Sequence, residues 1–430
     1  MRKVSACPAW RQACSNRSGI NPSIADQYEP IHQIGQIQPH GVLLVLQSSG
    51  LRILQVSQNT QDYLGLASEQ LLGQPFSAIV TDSTIEHLAN ALAPETGETG
   101  NPFPVSLAGR QGSEQPGPAP TFMASVHRVN GMLIVEMEPI ATPENFQVTQ
   151  FYGHLNHILA AIRRAPTLAD LLQQGATAVR NLTHFDRVMV YRFDHDYSGV
   201  VVAESLRPGL ESYLGLHYPA VDIPPKAREL FTKRWLRLIP DVNYQPVGLV
   251  SLDAVSESTA GQTEAPLDLS QSELRGVSPC HLEYLRNMGV AASMTIPLID
   301  QNQLWGLMAC HHYMPKLAEY EVRRICELVG QLMSVELLLR QERELQSYRE
   351  QIRQIEEDFR RQLAHSPSQI KTVLKRSQDI LLDLIRAQGV AIVLDQVIVL
   401  GGQTSDQRVR NLNVRLRRPT PIPIRAAAKV

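Results

Sequence analysis

A chain of 430 residues has room for roughly two to four domains. With 43% apolar residues, 19% charged residues and a net charge of −2, it shows neither the basic excess of a nucleic-acid binder nor the composition of a disordered chain. No apolar run approaches the roughly 18 residues of a membrane helix, and the N-terminus lacks the apolar core of a signal peptide.

Residues 1–27 are polar and irregular and read as an arm. A first α+β domain is expected over 28–145. IQPHGVLLVLQ is a single strand candidate, and LRILQVS follows it across a Ser-Ser-Gly turn. A helical stretch lies near Thr60–Leu72. TFMASVHRV and MLIVEMEPI are strands meeting at Asn130-Gly131, a strong hairpin signal.

A second α+β domain is expected over 150–330. Residues 151–182 read as one helix, with Phe151, Leu155, Ile158, Ile162, Leu168, Leu171 and Leu172 on its apolar face. DRVMVYRFD is a strand, and HDYSG turns it into VVAES. Asp222 is placed to cap a helix, with two prolines close behind it. LRLIPDV is a short strand. Residues 251–273 are rich in Ser, Thr, Glu and Gln and read as an exposed loop. Then comes RGVSPCHLEYLRNMGVAASMTIPLIDQNQLWGLMACHH. Ser278 suits an N-cap and Pro279 the first helical position, so Cys280 falls in the first turn, beside His281. The positive helix end favours a thiolate there. Two strands follow and end in Cys310-His311-His312. The five cysteines, with Cys7, Cys14 and Cys326, are odd in number and read as free thiols of a reducing, cytoplasmic protein.

From Tyr320 to Leu363 the pattern is one long helix. Leu338, Leu345, Tyr348, Ile352, Ile355, Phe359 and Leu363 recur at steps of 7, 3, 4, 3, 4 and 4, a seam suited to joining two chains. This signalling helix is assigned to 331–365, the start of a third domain to 366–402, and an irregular basic tail to 403–430. Seven basic residues and one acidic residue follow Gly402, so the third core is expected to be incomplete.

Across positions 30 to about 400 the chain resembles the photosensory region of a phytochrome. The resemblance rests on IHQIGQIQPHGVLLVLQ, DRVMVYRFD, YLGLHYPAVDIPPKARELF, LRLIPDV, SPCHLEYLRNMGVAASM and LWGLMACHH together. It implies a PAS domain, a GAF domain that holds a linear tetrapyrrole (a bilin), and a GAF-like PHY domain truncated here. It also implies a knot in which the N-terminal arm passes through a loop of the GAF domain. The expected function is that of a red/far-red light receptor, not an enzyme beyond self-attachment of its pigment. By the same resemblance Cys280 adds to the first ring of the pigment as a thioether. His281 and His311 lie at the pyrrole nitrogens, and Asp222 lines the pigment. Arg237 and Arg275 bind the propionates, for which a planar guanidinium is suited. Tyr191, Tyr218 and Tyr284 surround the last ring, and Tyr213 stands in a neighbouring position. Ser293 and Thr295 are hydroxyl partners of a propionate.

Val221 stands where the family usually has Ser or Thr before Asp-Ile-Pro. Members that bind biliverdin attach it through an upstream cysteine, where this sequence has Asp26, so Cys280 points to phycocyanobilin, with biliverdin the other candidate. The hairpin that covers the pigment in the family, the tongue, is expected to have no counterpart here, nor is an output kinase expected. The resemblance further implies a homodimer through the long helix and a downstream response regulator, with no nucleic-acid or membrane partner. The rivals are a PAS–GAF sensor of another small molecule such as a cyclic nucleotide, a cysteine-dependent enzyme, and a metal site at Cys280, His281, Cys310, His311 and His312. Adjacent helical residues do not face each other, which counts against His281 as a base for Cys280.

Overall fold

The computed structural model describes residues 30–93, 101–108, 121–140, 148–252, 266–365, 370–384, 389–394 and 397–402. The chain forms two compact units, Met1–Leu338 and Leu339–Val430.

The first unit begins with β1 (Gln36–Ile37), β2 (Val42–Gln47) and β3 (Ile53–Ser57), then the helices α1 (Thr60–Leu64), α2 (Ser68–Leu71) and α3 (Asp82–Leu92). The strands β4 (Phe103–Val105), β5 (Thr121–Val129) and β6 (Met132–Ile140) follow. The single strand expected at Ile37–Gln47 is two strands. Pro39 has no N–H to give a ladder, and a Cβ at Gly41 would stand 2.7 Å from the Met137 carbonyl oxygen. At the β5–β6 turn Asn130 and Gly131 both take positive φ, as a tight two-residue hairpin requires.

Next come α4 (Val148–Arg164), α5 (Leu168–Thr183), β7 (Arg187–Phe193), β8 (Gly199–Leu206), β9 (His217–Tyr218), α6 (Pro225–Phe231), β10 (Arg237–Ile239) and β11 (Val247–Ser251). The unit continues with α7 (Pro279–Asn287), β12 (Ala292–Asp300), β13 (Gln303–His312) and the first part of α8 (Tyr320–His365). The helix expected over 151–182 is broken at Pro166, whose ring and missing N–H end α4. The hydroxyl of Thr167 then caps α5 by accepting from Asp170 N at 3.1 Å.

Two antiparallel sheets organise this unit. The first has the order β1-β11-β3-β2-β6-β5-β4, the second β10-β12-β13-β7-β8-β9. The near-continuous apolar run of β2 is explained by burial on both faces. Val42, Leu44 and Leu46 face Leu64, Leu71, Phe76 and Leu88. Leu43 and Val45 face Leu267, Leu269 and Leu274. This corrects the exposed loop expected over 251–273. Residues 253–265 lie outside the described ones, but 247–251 is a sheet strand, and Leu267, Leu269, Ser270 and Ser272 are buried. The second sheet packs one face on α4, α5 and α8, where Ile325, Val329, Met333 and Leu337 fill the core.

Residues 32–38 run between the two limbs of the 247–276 insertion. Gln36 and Ile37 pair with Gly248 and Val247. Leu269 N donates to His32 O at 2.8 Å, Gln38 N to Leu274 O at 2.7 Å, and Gly276 N to Gln36 O at 2.8 Å. The arm that the knot expectation concerns, residues 1–29, lies outside the described residues.

Gly306 marks a close approach of two backbones inside the second sheet. A Cβ there would stand 2.4 Å from the carbonyl oxygen of Tyr191 on the neighbouring strand. Backbone cannot yield as a side-chain tip can, so Gly306→Ala is expected to cost about 1–3 kcal/mol, read as a lower urea midpoint at unchanged m-value.

The second unit holds the rest of α8, the short helices α9 (Ile370–Arg376) and α10 (Gln378–Leu384), and the hairpin β14 (Gly389–Leu394) and β15 (Val397–Gly402). Leu345, Tyr348 and Ile352 of the predicted seam are exposed on α8.

Candidate functional site

The face of the second sheet turned away from its core floors a cavity of about 230 Å³. Strand alternation decides which side chains reach it. Met189 and Tyr191 of β7, Ser293 and Thr295 of β12, and Leu307, Ala309 and His311 of β13 line the cavity. Val188, Val190, Met294, Ile296, Met308 and Cys310 alternate with them along the strands and fill the core on the other face. Register then arranges the floor in rows. Arg237, Thr295, Ala309 and Met189 stand side by side, and Ile239, Ser293 and His311 form the next row.

The walls come from α6 with the turn before it and from α7. Pro279 opens α7 at its first position, so Cys280 lies in the first turn as expected. Cys280, Tyr284 and Met288 follow at steps of four and share the face that lines the cavity. His281 lines it too, and its ring stacks on Tyr284 with centroids 6.3 Å apart and planes 12° apart. Across the cavity Asp222 ends a single 3₁₀ turn, Ala220–Asp222. It does not cap α6, which begins at Pro225 after Pro224. The rigid Pro-Pro pair starts the helix without it. Asp222 is thereby left facing the cavity near the ring pair Tyr191–Tyr218, whose centroids are 5.9 Å apart. Val221, where the family usually has a hydroxyl, is 46% exposed and does not line the cavity.

The polar groups here are short of partners. Among the described residues the buried His311 Nδ1, Tyr191 Oη and Arg275 Nε have no hydrogen-bond partner. Burial, with Arg237 nearby, depresses the His281 pKa to about 4. Burial, with Arg187 and His281 nearby, depresses that of His311 to about 3. Both rings are therefore neutral at neutral pH, each with one donor and one acceptor to offer. Burial lifts the Asp222 carboxyl from 3.8 to about 6 and the Tyr218 hydroxyl to about 12.

The raised carboxyl has a consequence for stability. A group that binds its proton more tightly when folded supports the fold below its unfolded pKa and loses that support as pH rises through its folded pKa. Asp222→Asn is therefore expected to be more stable than the wild type near about pH 7.5, the gap closing as pH falls through about 6. Urea unfolding at several pH values checks this; a gap constant with pH would refute it.

Arg237 and Arg275 stand at one end of the cavity. Arg237 donates to the carbonyls of Glu273 at 3.1 Å and Gly276 at 2.9 Å, and to that of Arg275. Arg275 donates to the Ile31 carbonyl at 2.8 Å. Among the described residues neither pairs with a carboxylate. Burial, then Arg275, pulls the Arg237 guanidinium down to about 9, and burial pulls Arg275 to about 10. Two half-buried cations held only by carbonyl dipoles are costly, and an incoming pair of carboxylates would relieve that cost.

Of the residues singled out from the sequence, Tyr213 lies outside the cavity lining. Its ring lies under the Arg187 guanidinium, 3.7 Å from the centroid, and its N–H donates to Glu204. Arg234, Ser270, Ser272 and Met288 line the cavity and were not anticipated. Arg234 stands three residues before Arg237 in TKRWLR, between the end of α6 and the start of β10, a spacing that by itself signals nothing. The metal reading has no support among the described residues, where no three ligating side chains gather. Alternation turns Cys310 into the core, and His312 pairs instead with Asp186 at 2.9 Å.

Fold and site together define a class: a PAS-type and a GAF-type sheet domain clasped by one insertion, with a ligand cavity in the second. The family profile for a PAS fold matches residues 26–140 and that for a GAF domain matches 167–337. The chain is 42% identical to the chromophore-binding domain of Stigmatella aurantiaca bacteriophytochrome, with a TM-score of 0.65, over 73% of this chain and 98% of that one. It is 37% identical to the photosensory core module of Stigmatella aurantiaca phytochrome, with a TM-score of 0.73, over 91% of this chain and 75% of that one. It is 41% identical to cyanobacterial phytochrome B of Nostoc sp. over 85% of this chain and 47% of the relative. The chain belongs to the phytochrome family. It spans about half the length of the curated relatives it matches. No helix among the described residues is long and apolar enough to cross a membrane.

Proposed function

We propose that this chain is the light-sensing part of a red/far-red photoreceptor, with a linear tetrapyrrole held covalently in the GAF cavity. One observation carries the reading: an accessible cysteine on a first helical turn shares a cavity with two half-buried guanidiniums that lack carboxylates among the described residues. A linear tetrapyrrole supplies a reactive side chain, two propionates, pyrrole N–H donors and a light-isomerisable double bond. The Cys280 thiol adds across the side-chain double bond: sulfur bonds to carbon and the thiol proton passes to the adjacent carbon, with no oxidant or reductant needed. Arg237 and Arg275 each bind a propionate bidentately, and Ser293 and Thr295 offer hydroxyls on the same floor. Neutral His281 and His311 donate to, or accept from, the pyrrole region. Tyr191, Tyr218, Tyr284 and Asp222 border the far end, where a ring can turn. Cys280 in place of an upstream cysteine favours phycocyanobilin over biliverdin.

The long helix is read as a homodimer contact, because Leu345, Tyr348 and Ile352 leave an apolar stripe uncovered on it. A response regulator downstream and a cytoplasmic location follow from the family reading. Co-expression with phycocyanobilin-forming enzymes tests the whole. A coloured protein with zinc-induced fluorescence in a denaturing gel and a light-minus-dark difference spectrum is expected. A colourless product from soluble, folded protein would overturn the proposal.

A further inference from the structure

A third cavity cation, Arg234, is captured by a carboxylate that also pairs with the long helix. Glu273 Oε1 accepts from Arg234 Nη2 and, at 2.6 Å, from Arg324 Nη2 of α8. Its Oε2 lies 3.4 Å from Arg323 Nη1. Arg323 in turn pairs with Glu138 of β6 at 2.5 and 3.1 Å. The backbone of Glu273 is fixed as well. Its N–H donates to Glu136 at 3.0 Å and its carbonyl accepts from Arg237 at 3.1 Å. Burial opposes ionisation of Glu273, but Arg234, Arg324 and Arg323 outweigh it and hold the carboxyl low. The segment carrying Glu273 thus touches both a cavity cation and the first turn of α8, through one shared oxygen.

Among the described residues Arg234 pairs with Glu273 alone, whereas Arg323 also pairs with Glu138 and Arg324 also pairs with Glu327. It also lines the cavity, which Arg323 and Arg324 do not. With one partner to lose, it can swing toward a carboxylate arriving beside Arg237, three residues along the chain. We propose that Arg234 exchanges partners on loading. It leaves Glu273 for a carboxylate of the ligand, and Glu273 then gives both oxygens to Arg323 and Arg324, tightening the start of α8. Occupancy of the cavity is in this way reported to the long helix by exchange of a salt bridge, before any light reaction. The inference rests on the tetrapyrrole reading only for the source of the carboxylate.

Hydrogen exchange of the amides of residues 320–338 in the full chain tests it, with phycocyanobilin and with its dimethyl ester as probes. Covalent attachment at Cys280 is followed in the same samples by zinc fluorescence. Loading the free acid is expected to slow exchange there by about fivefold or more. The ester, which attaches but carries no carboxylate, leaves exchange unchanged. In Arg234→Gln the acid still attaches and the slowing is lost. In Arg324→Gln, which keeps every cavity residue, it is lost as well. An equal slowing by acid and ester, or a slowing retained in Arg234→Gln, would overturn the exchange. Absence of any adduct in the wild type would instead overturn the tetrapyrrole reading, so the two failures are distinct.

Discussion

Cys280→Ala is expected to abolish covalent pigment attachment completely while leaving the protein folded. Among the described residues Cys280 is the one cysteine that reaches the cavity, because Cys310 and Cys326 are wholly buried behind the sheet. Burial also pushes both of those thiols up, away from the thiolate form. No second nucleophile of that kind is in place to substitute. Truncating one half-buried thiol costs about 1 kcal/mol or less in stability, so far-ultraviolet circular dichroism and the urea midpoint should barely move. Zinc-induced fluorescence of the denatured protein should fall to background. Absorbance from non-covalent binding should persist until denaturation, since Arg237, Arg275 and the aromatic wall are untouched. An adduct surviving in Cys280→Ala would place attachment elsewhere, for instance at Cys7 or Cys14, and would overturn the site as drawn.

The largest effect on stability is expected at Arg187. Its side chain is 1% exposed and pairs with Glu204, 2% exposed. Arg187 also donates to the Glu211 carbonyl at 2.6 Å and stacks on Tyr213. Glu204 accepts from Ser212 Oγ at 2.6 Å and from the Tyr213 N–H at 3.1 Å. Arg187→Met leaves that carboxylate buried without a cation, at a cost of about 3–5 kcal/mol. Arg187→Met combined with Glu204→Leu removes both charges and should recover much of the loss, because neither side chain must then be desolvated as an ion. Urea midpoints of the single and double variants decide it; a single-variant loss below about 1 kcal/mol would show the pair to be weak. The effect reaches the cavity too. Arg187 pairs in register with His311 and helps keep that ring neutral, so its removal should raise the His311 pKa, measurable by NMR titration.

Much of the fold was legible because local rules and tertiary demands agree. Asn130-Gly131 turned where it should, and Ser278-Pro279 opened the helix that carries Cys280. The two strands ending in Cys310-His311-His312 form as read. Where the reading failed, a contact distant in sequence had prevailed, or a proline within the apolar pattern was passed over. Pro166 split one helix. The polar stretch near 266–274 proved buried, because its leucines cover the second face of β2, more than 200 residues earlier. Capping is the usual role of an Asp before a helix, and the Pro-Pro pair makes it unnecessary at Asp222.

The site divides in the same way. Composition, periodicity and the quoted motifs determined by themselves the two α+β domains, the long helix, the family, and the types of side chain brought to the cavity. Periodicity of two also separates His311 from its neighbours Cys310 and His312 once β13 is known to have one face on a core. Tyr213, expected beside the pocket, stacks under Arg187, 26 positions earlier in the chain, a contact no local spacing announces. The charge balance at the end of the cavity was decided by tertiary structure alone. That Arg234 is paired while Arg237 and Arg275 are not depends on Glu136, Glu138, Glu273, Arg323 and Arg324, brought together from three separate segments. Ion pairing is settled over a few ångströms, and no spacing along the chain encodes which of five arginines finds a carboxylate.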